Sequence, residues 1–236
     1  MKLKMKLAAI ILALALLTGV NLHAQTVVTN FYSQTVNAPI PDENPNGYNT
    51  SIQVSNVIGT IQNISVFLNV TNGFNGDLYA FLVNPYGDVA VLLNRAGVGG
   101  GNSFGYGDSG FNLTFSVGAT NDIHYYQTLG YALNDGGQLI GTWAADGRHI
   151  DPQSLPSVFD ATSPTHTLDL FLGGSPNGEW TLFLADLNGE YQSTLLNWGM
   201  QIQTVPEPSS GQMFMVCGMS GVVILFLRRR RAQING

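Results

Sequence analysis

The chain has 236 residues with nine Lys and Arg against fifteen Asp and Glu, a formal net charge of −6. The charge is unevenly spread: all three lysines lie in the first six residues and four of the six arginines at 228–231, so residues 25–204 carry two arginines against fourteen acids, about −12. Such a body repels phosphate backbones, which argues against nucleic-acid binding, and suits divalent cations and an external aqueous medium.

At the N-terminus Lys2, Lys4 and Lys6 precede an apolar run at residues 7–17, which is too short to span a bilayer. The segment closes on Leu22-His23-Ala24, with a small residue last. This layout predicts a secretory signal peptide over residues 1–24, cleaved between Ala24 and Gln25. Residues 25–50, polar and interrupted by prolines and glycines, predict an extended lead-in. The remaining body is long enough for one well-buried domain. Its only route to a covalent cross-link is closed, because the single cysteine, Cys217, lies beyond it.

From residue 51 the pattern is that of strands. A first strand is predicted at residues 51–57. Ile64, Val66, Leu68 and Val70 then alternate with Ser65, Phe67 and Asn69, the period of a half-buried strand. Residues 78–83 and 89–93 are dense apolar runs, as are 168–172 and 180–185, and these predict strands packed on both faces. Residues 111–117 alternate cleanly, and Trp198, Met200 and Ile202 do so again. Turn residues separate the runs at Asn72-Gly73, at Asn84-Pro85-Tyr86-Gly87 and at Asn188-Gly189. The glycine-rich stretch 97–110 and the irregular stretch 131–163 predict long loops, places where function often lies. About eight short strands without a sustained 3.6-residue period predict an all-β fold, an antiparallel sandwich over residues 51–204.

Two blocks carry a resemblance. The first comprises residues 61–71 (IQNISVFLNVT), 74–87 (FNGDLYAFLVNPYG) and 91–97 (VLLNRAG). The second comprises residues 177–186 (NGEWTLFLAD) and 195–202 (LLNWGMQI). In order and spacing they resemble the P domain (P/Homo B domain) of proprotein convertases, over roughly residues 51–203. Residues 140–147 (IGTWAADG) fit another segment of that family loosely and lack its proline. The resemblance implies a jelly-roll β-sandwich. It also implies an accessory role, because in convertases this domain is appended to a subtilisin-like protease domain and stabilises it.

The residues of the body do not assemble a recognisable catalytic motif. His124, His149 and His166 sit in no subtilase-like surroundings, and no Gly-x-Ser-x-Gly elbow occurs, so no enzyme is predicted. The three histidines are expected in loops or at the surface. Calcium takes several hard oxygen ligands from carboxylates and loop carbonyls. Asp77 after a turn, Asp108 at the end of the glycine-rich loop and Asp186 at the end of a strand are therefore candidate metal ligands, if strand ends bring them together; capping of turns is the alternative. Tyr79, Tyr125, Tyr126, Trp143 and Tyr191 form either a sugar-binding aromatic platform or part of the core, while Trp180 and Trp198 are assigned to packing.

The chain closes with Val205, Pro206, Glu207 and Pro208, a polar link, a continuous apolar run at residues 213–227 and then Arg228, Arg229, Arg230 and Arg231. Arginines are retained on the cytoplasmic side, so a membrane-crossing helix here leaves the body outside. Motif, helix and arginine cluster in this order resemble the PEP-CTERM sorting signal, over residues 205–236. That resemblance implies transient anchoring in the inner membrane of a Gram-negative bacterium, cutting by an exosortase and a setting of extracellular polysaccharide. The expectation is thus an exported, non-catalytic surface or matrix module that binds polysaccharide or another surface protein. Its alternatives are an accessory module for a separately encoded subtilisin-like protease, or a hydrolase whose site carries no familiar motif.

Overall fold

Period-two alternation builds two sheets in the computed structural model, which describes residues 26–206. The signal segment at residues 1–24 lies outside the described residues, as do Glu207, Pro208, the apolar run 213–227 and Arg228 to Arg231. Among the described residues there are nine strands: β1 (Val28–Pro39), β2 (Tyr48–Val54), β3 (Thr60–Thr71), β4 (Leu78–Val83), β5 (Val89–Asn94), β6 (Gly110–Ser116), β7 (Leu139–Trp143), β8 (Gly178–Asp186) and β9 (Thr194–Val205). They form a five-stranded sheet in the order β1-β9-β3-β6-β7 and a four-stranded sheet in the order β2-β8-β4-β5. No helix among the described residues is long and apolar enough to cross a membrane.

The core lies between the sheets. Ile64, Val66, Leu68 and Val70 of β3 are buried, as are Trp198, Met200 and Ile202 of β9 and Phe111, Leu113 and Phe115 of β6. Leu78, Ala80 and Leu82 of β4 and Trp180, Leu182 and Leu184 of β8 meet them from the other side. Trp180 donates its indole N–H to the carbonyl of Pro176 at 2.8 Å and takes the edge of Phe171 at a centroid distance of 5.0 Å. Both tryptophans assigned to packing are therefore core residues.

Four expectations change. The stretch read as a lead-in is largely β1, hydrogen-bonded along β9 from Val28 to Pro39 with a register shift between Thr35 and Ala38. A strand inside the irregular stretch, β7, extends the same sheet and runs parallel to β6, so the sheet is not wholly antiparallel. Residues 168–172 are not a strand: Leu168–Phe171 is a 3-10 turn. Leu168 and Phe171 are buried three residues apart while Leu170 and Leu172 are exposed, which is the spacing of a 3-10 turn rather than of a pleat. The strands number nine rather than about eight.

Candidate functional site

One end of the sandwich gathers acids. The β4–β8 register pairs Leu78 with Asp186, which sets Asp186 beside Asp77, the last residue of the short turn Asn75–Asp77. Asn188 donates its side-chain amide to Oδ1 of Asp77, and the guanidinium of Arg95 stands 4.0 Å from the same oxygen. Burial raises the carboxyl of Asp77, against the lowering effect of Asn188 and Arg95. Asp186 is 1 % exposed; its Oδ2 accepts from the backbone N–H of Ser193 at 3.3 Å, and its Oδ1 is buried without a partner. Burial, with the charges of Asp42 and Asp77 nearby, pushes this carboxyl up to about 6. Asp42 is brought in by the loop after β1, where the N–H of Asn44 donates to the carbonyl of Asp186 at 2.9 Å. Its own Oδ1 is likewise buried without a partner.

Asp108 does not join them. Its Oδ2 accepts from the phenol of Tyr126 and from the side-chain amide of Gln127, both at 2.7 Å. Burial and this carboxylate hold the Tyr126 hydroxyl well above its ordinary range. The three aspartates singled out by sequence thus fall into two places. No three His, Cys, Asp or Glu side chains form a metal-ligating group among the described residues. Between the two places the glycine-rich loop is pinned by Asn75, which donates to the Tyr126 hydroxyl at 3.1 Å and accepts from the N–H of Gly110 at 2.8 Å. A Cβ at Gly110 would strike the carbonyl of Val70, and its φ of 94° suits glycine alone, so the strand start needs this residue. A cleft of about 550 Å³ opens here, lined by Glu43, Asp77, Phe104, Asn188 and Glu190.

The expectation of surface histidines fails at His124, which is fully buried. Its Nδ1 lies 2.8 Å from Oδ2 of Asp146 and its Nε2 lies 2.9 Å from the carbonyl of Val98. Arg148 holds Oδ1 of Asp146 at 3.1 Å and Oδ2 of Asp122 at 2.9 Å, and its guanidinium carbon sits 5.0 Å from the centre of the Tyr125 ring. Short-range spacing does signal part of this network, since Asp122-Ile-His124 and Asp146-Gly-Arg148 are each i, i+2 pairs. Their approach across the fold is not readable from sequence. His149 and His166 do lie outside the core, with ring centres 4.1 Å apart, and burial with the neighbouring His149 lowers the pKa of His166.

The five aromatics proposed as a platform do not share a surface. Tyr126 and Trp143 are core residues, Tyr79 lies on the outer face of the four-stranded sheet and Tyr191 is exposed at the end of the molecule. The outer face of the five-stranded sheet is different in kind. None of its strands contains Asp, Glu, Lys, Arg or His. Cross-strand register lays out three rows on it: Phe31, Gln201, Ser65 and Ser116; then Ser33, Gly199, Phe67, Thr114 and Thr142; then Thr35, Asn197, Asn69, Asn112 and Ile140. Apart from Gly199, Ile140 and two rings, the rows are hydroxyl and carboxamide, with Phe31 exposed to 67 % and Phe67 half-buried.

No protein-family model matches the chain, and no curated protein matches it. Among solved structures it is similar to the crystal structure of the serine protease of Aeromonas sobria in complex with the chaperone ORF2, at 17 % identity and a TM-score of 0.41, over 81 % of this chain and 29 % of that one. It is similar also to the crystal structure of the Aeromonas sobria serine protease, at 15 % identity and a TM-score of 0.42, over 80 % and 29 %. The chain thus spans less than a third of the length of these structures.

Proposed function

We propose that this chain is an exported, non-catalytic module of the jelly-roll type, related to the P domain of proprotein convertases, that holds neutral polysaccharide at the cell surface or in the extracellular matrix. The observation that carries the reading is the uncharged outer face of the five-stranded sheet. A body near −12 repels anionic polymers, and a face free of charge is where a neutral polymer approaches without that cost. Sugar hydroxyls need donors and acceptors, which Ser65, Thr114, Asn69, Asn112 and Gln201 supply. Sugar C–H faces pack on rings, which Phe31 and Phe67 supply. The non-catalytic part of the reading is supported at His124: its Asp146-paired ring spends Nε2 on the Val98 carbonyl and so activates no hydroxyl. Residues 205–236 act in this reading as a PEP-CTERM signal, with an exosortase as processing partner.

The test is retention of the protein by insoluble neutral polysaccharides, compared with an anionic one. The expected result is salt-insensitive retention on a neutral polymer, weakened about tenfold when Phe31→Ala and Phe67→Ala are combined, the loss of two ring contacts. Equal retention of the variant, or preference for the anionic polymer, sinks the reading. Mass spectrometry of the protein from the medium of its host checks the export step, with a mature form running from near Gln25 to near Pro206 expected.

A second reading rests on the other sheet. Phe81 and Phe183 stack at 4.7 Å on its outer face with Tyr79 beside them at 5.6 Å from Phe81, an aromatic strip that suits docking to a protein. Under it the chain supports a separately encoded subtilisin-like protease, and co-elution with that protease, lost in Phe81→Ser, is the expected sign.

A further inference from the structure

We propose that Asp42 and Asp186 hold a divalent cation of the calcium type at the acidic end of the sandwich, a role independent of polysaccharide binding. Both side chains present a buried carboxylate oxygen, Oδ1 in each, that no protein group satisfies. A buried carboxylate oxygen without a partner is costly, and buried polar atoms in folded proteins are paired with few exceptions. The two side chains are neighbours, since the Asn44 N–H ties the Asp42 loop to the carbonyl of Asp186 and the charge of Asp42 acts on the Asp186 carboxyl. A third carboxylate, Asp77, stands beside them across the β4–β8 register. The protein supplies no balancing charge. Residues 26–206 contain no lysine, and the nearest arginine, Arg95, is already turned to Asp77 and to the carbonyl of Gly76 at 3.1 Å.

The donor set selects the ion. Carboxylate oxygens, with no thiol or imidazole in the set, are the hard ligands that calcium takes. Asp77 is not counted among the ligands, because its Oδ1 is held by Asn188 and faces Arg95; its charge adds attraction instead. The cleft lined by Glu43, Asp77 and Glu190 gives a cation an anionic way in from solvent.

The experiment uses the full-length protein in mild detergent, stripped with chelator and then titrated with calcium chloride by calorimetry and by thermal melting. One calcium per chain is expected, and a melting temperature raised by about 3–10 °C at ten to a hundred times the dissociation constant. Asp42→Asn and Asp186→Asn are each expected to lose that rise, while Asp135→Asn, an exposed acid elsewhere, keeps it. Asp42 lies in a loop, so its variant keeps the test valid should Asp186→Asn fail to fold. A wild-type protein with neither heat nor shift at millimolar calcium overturns the proposal. A shift of equal size in Asp42→Asn overturns it too, since calcium then binds elsewhere on the acidic surface.

Discussion

The imidazole of His124 meets an acceptor at each nitrogen, a carboxylate at Nδ1 and a carbonyl at Nε2. Through Val98 it ties the glycine-rich loop to the Asp146–Arg148–Asp122 ion pairs, of which Asp146 and Arg148 are buried and Asp122 is partly exposed. Removing one partner of such a buried network leaves the rest under-paired. His124→Ala is therefore expected to lower unfolding free energy by about 3–5 kcal/mol, the range for a broken buried pair, as read by urea denaturation. A loss under about 1 kcal/mol would reduce the ring to filler. Asp186 gives the second prediction at this scale. Unfolded, this carboxyl loses its proton near pH 3.8; folded and cation-free, it keeps it to about 6, because burial and the carboxylates of Asp42 and Asp77 disfavour the charge. Between those values the folded state binds more protons, so this group's contribution is full below about pH 3.8 and is lost as pH rises through 6. In chelator the protein should lose up to about 3 kcal/mol from this group between pH 4 and pH 7, and Asp186→Asn should flatten that slope. An unchanged slope in the variant refutes the assignment.

At the scale of elements, the strands legible in the sequence are those whose two faces differ. β3, β6 and β9 alternate because one face meets the core and the other water, and each appears where its alternation predicts. β4, β5 and β8 are legible as dense runs; in β5 every residue after Val89 is buried, and loop backbone closes its free edge, Val91 donating to the carbonyl of His166 and Gly147 to the carbonyl of Val91. β1 was missed because an edge strand covers little core. Its inward residues Tyr32, Gln34 and Val36 are only half-buried, and so its hydrophobic signal is thin. β7 was missed because its pairing partner, β6, is distant in sequence and parallel, so no hairpin turn announces it. The candidate sites were less legible than the strands. Asp77 and Asp186 were marked by their strand ends, whereas Asp42 entered only through the hydrogen bond that folds its loop onto β8. The uncharged face needs register, since Phe31 and Phe67 reach one surface only when β1, β9 and β3 are aligned.

At the scale of the whole molecule, charge is sorted by place. The strands of the five-stranded sheet are free of it, while the acids of the body stand in loops, in short helical turns and near the ends of β8. Neither body arginine offsets them at the surface: the side chain of Arg148 is 3 % exposed and that of Arg95 is 12 %, and each is turned to an aspartate. Compaction therefore crowds like charges that the unfolded chain spreads apart, and self-repulsion works against the fold. Salt screens charges at the surface far more than buried pairs. Raising sodium chloride from about 0.01 M to about 0.5 M, where the Debye length falls from about 30 Å to a few ångströms, should raise the melting temperature by several degrees. The rise should persist in Asp42→Asn and Asp186→Asn, because it comes from the whole rim and not from the one end where a divalent cation is proposed to sit. Retention on neutral polysaccharide should stay constant over the same range, because the face proposed to make the contact carries no charge to screen. A melting temperature indifferent to salt would mean that the acids stand too far apart to repel. An uncharged sheet would then no longer be needed to bring a polymer to this molecule, and the choice between neutral and anionic ligands would fall to contacts at Phe31 and Phe67 alone.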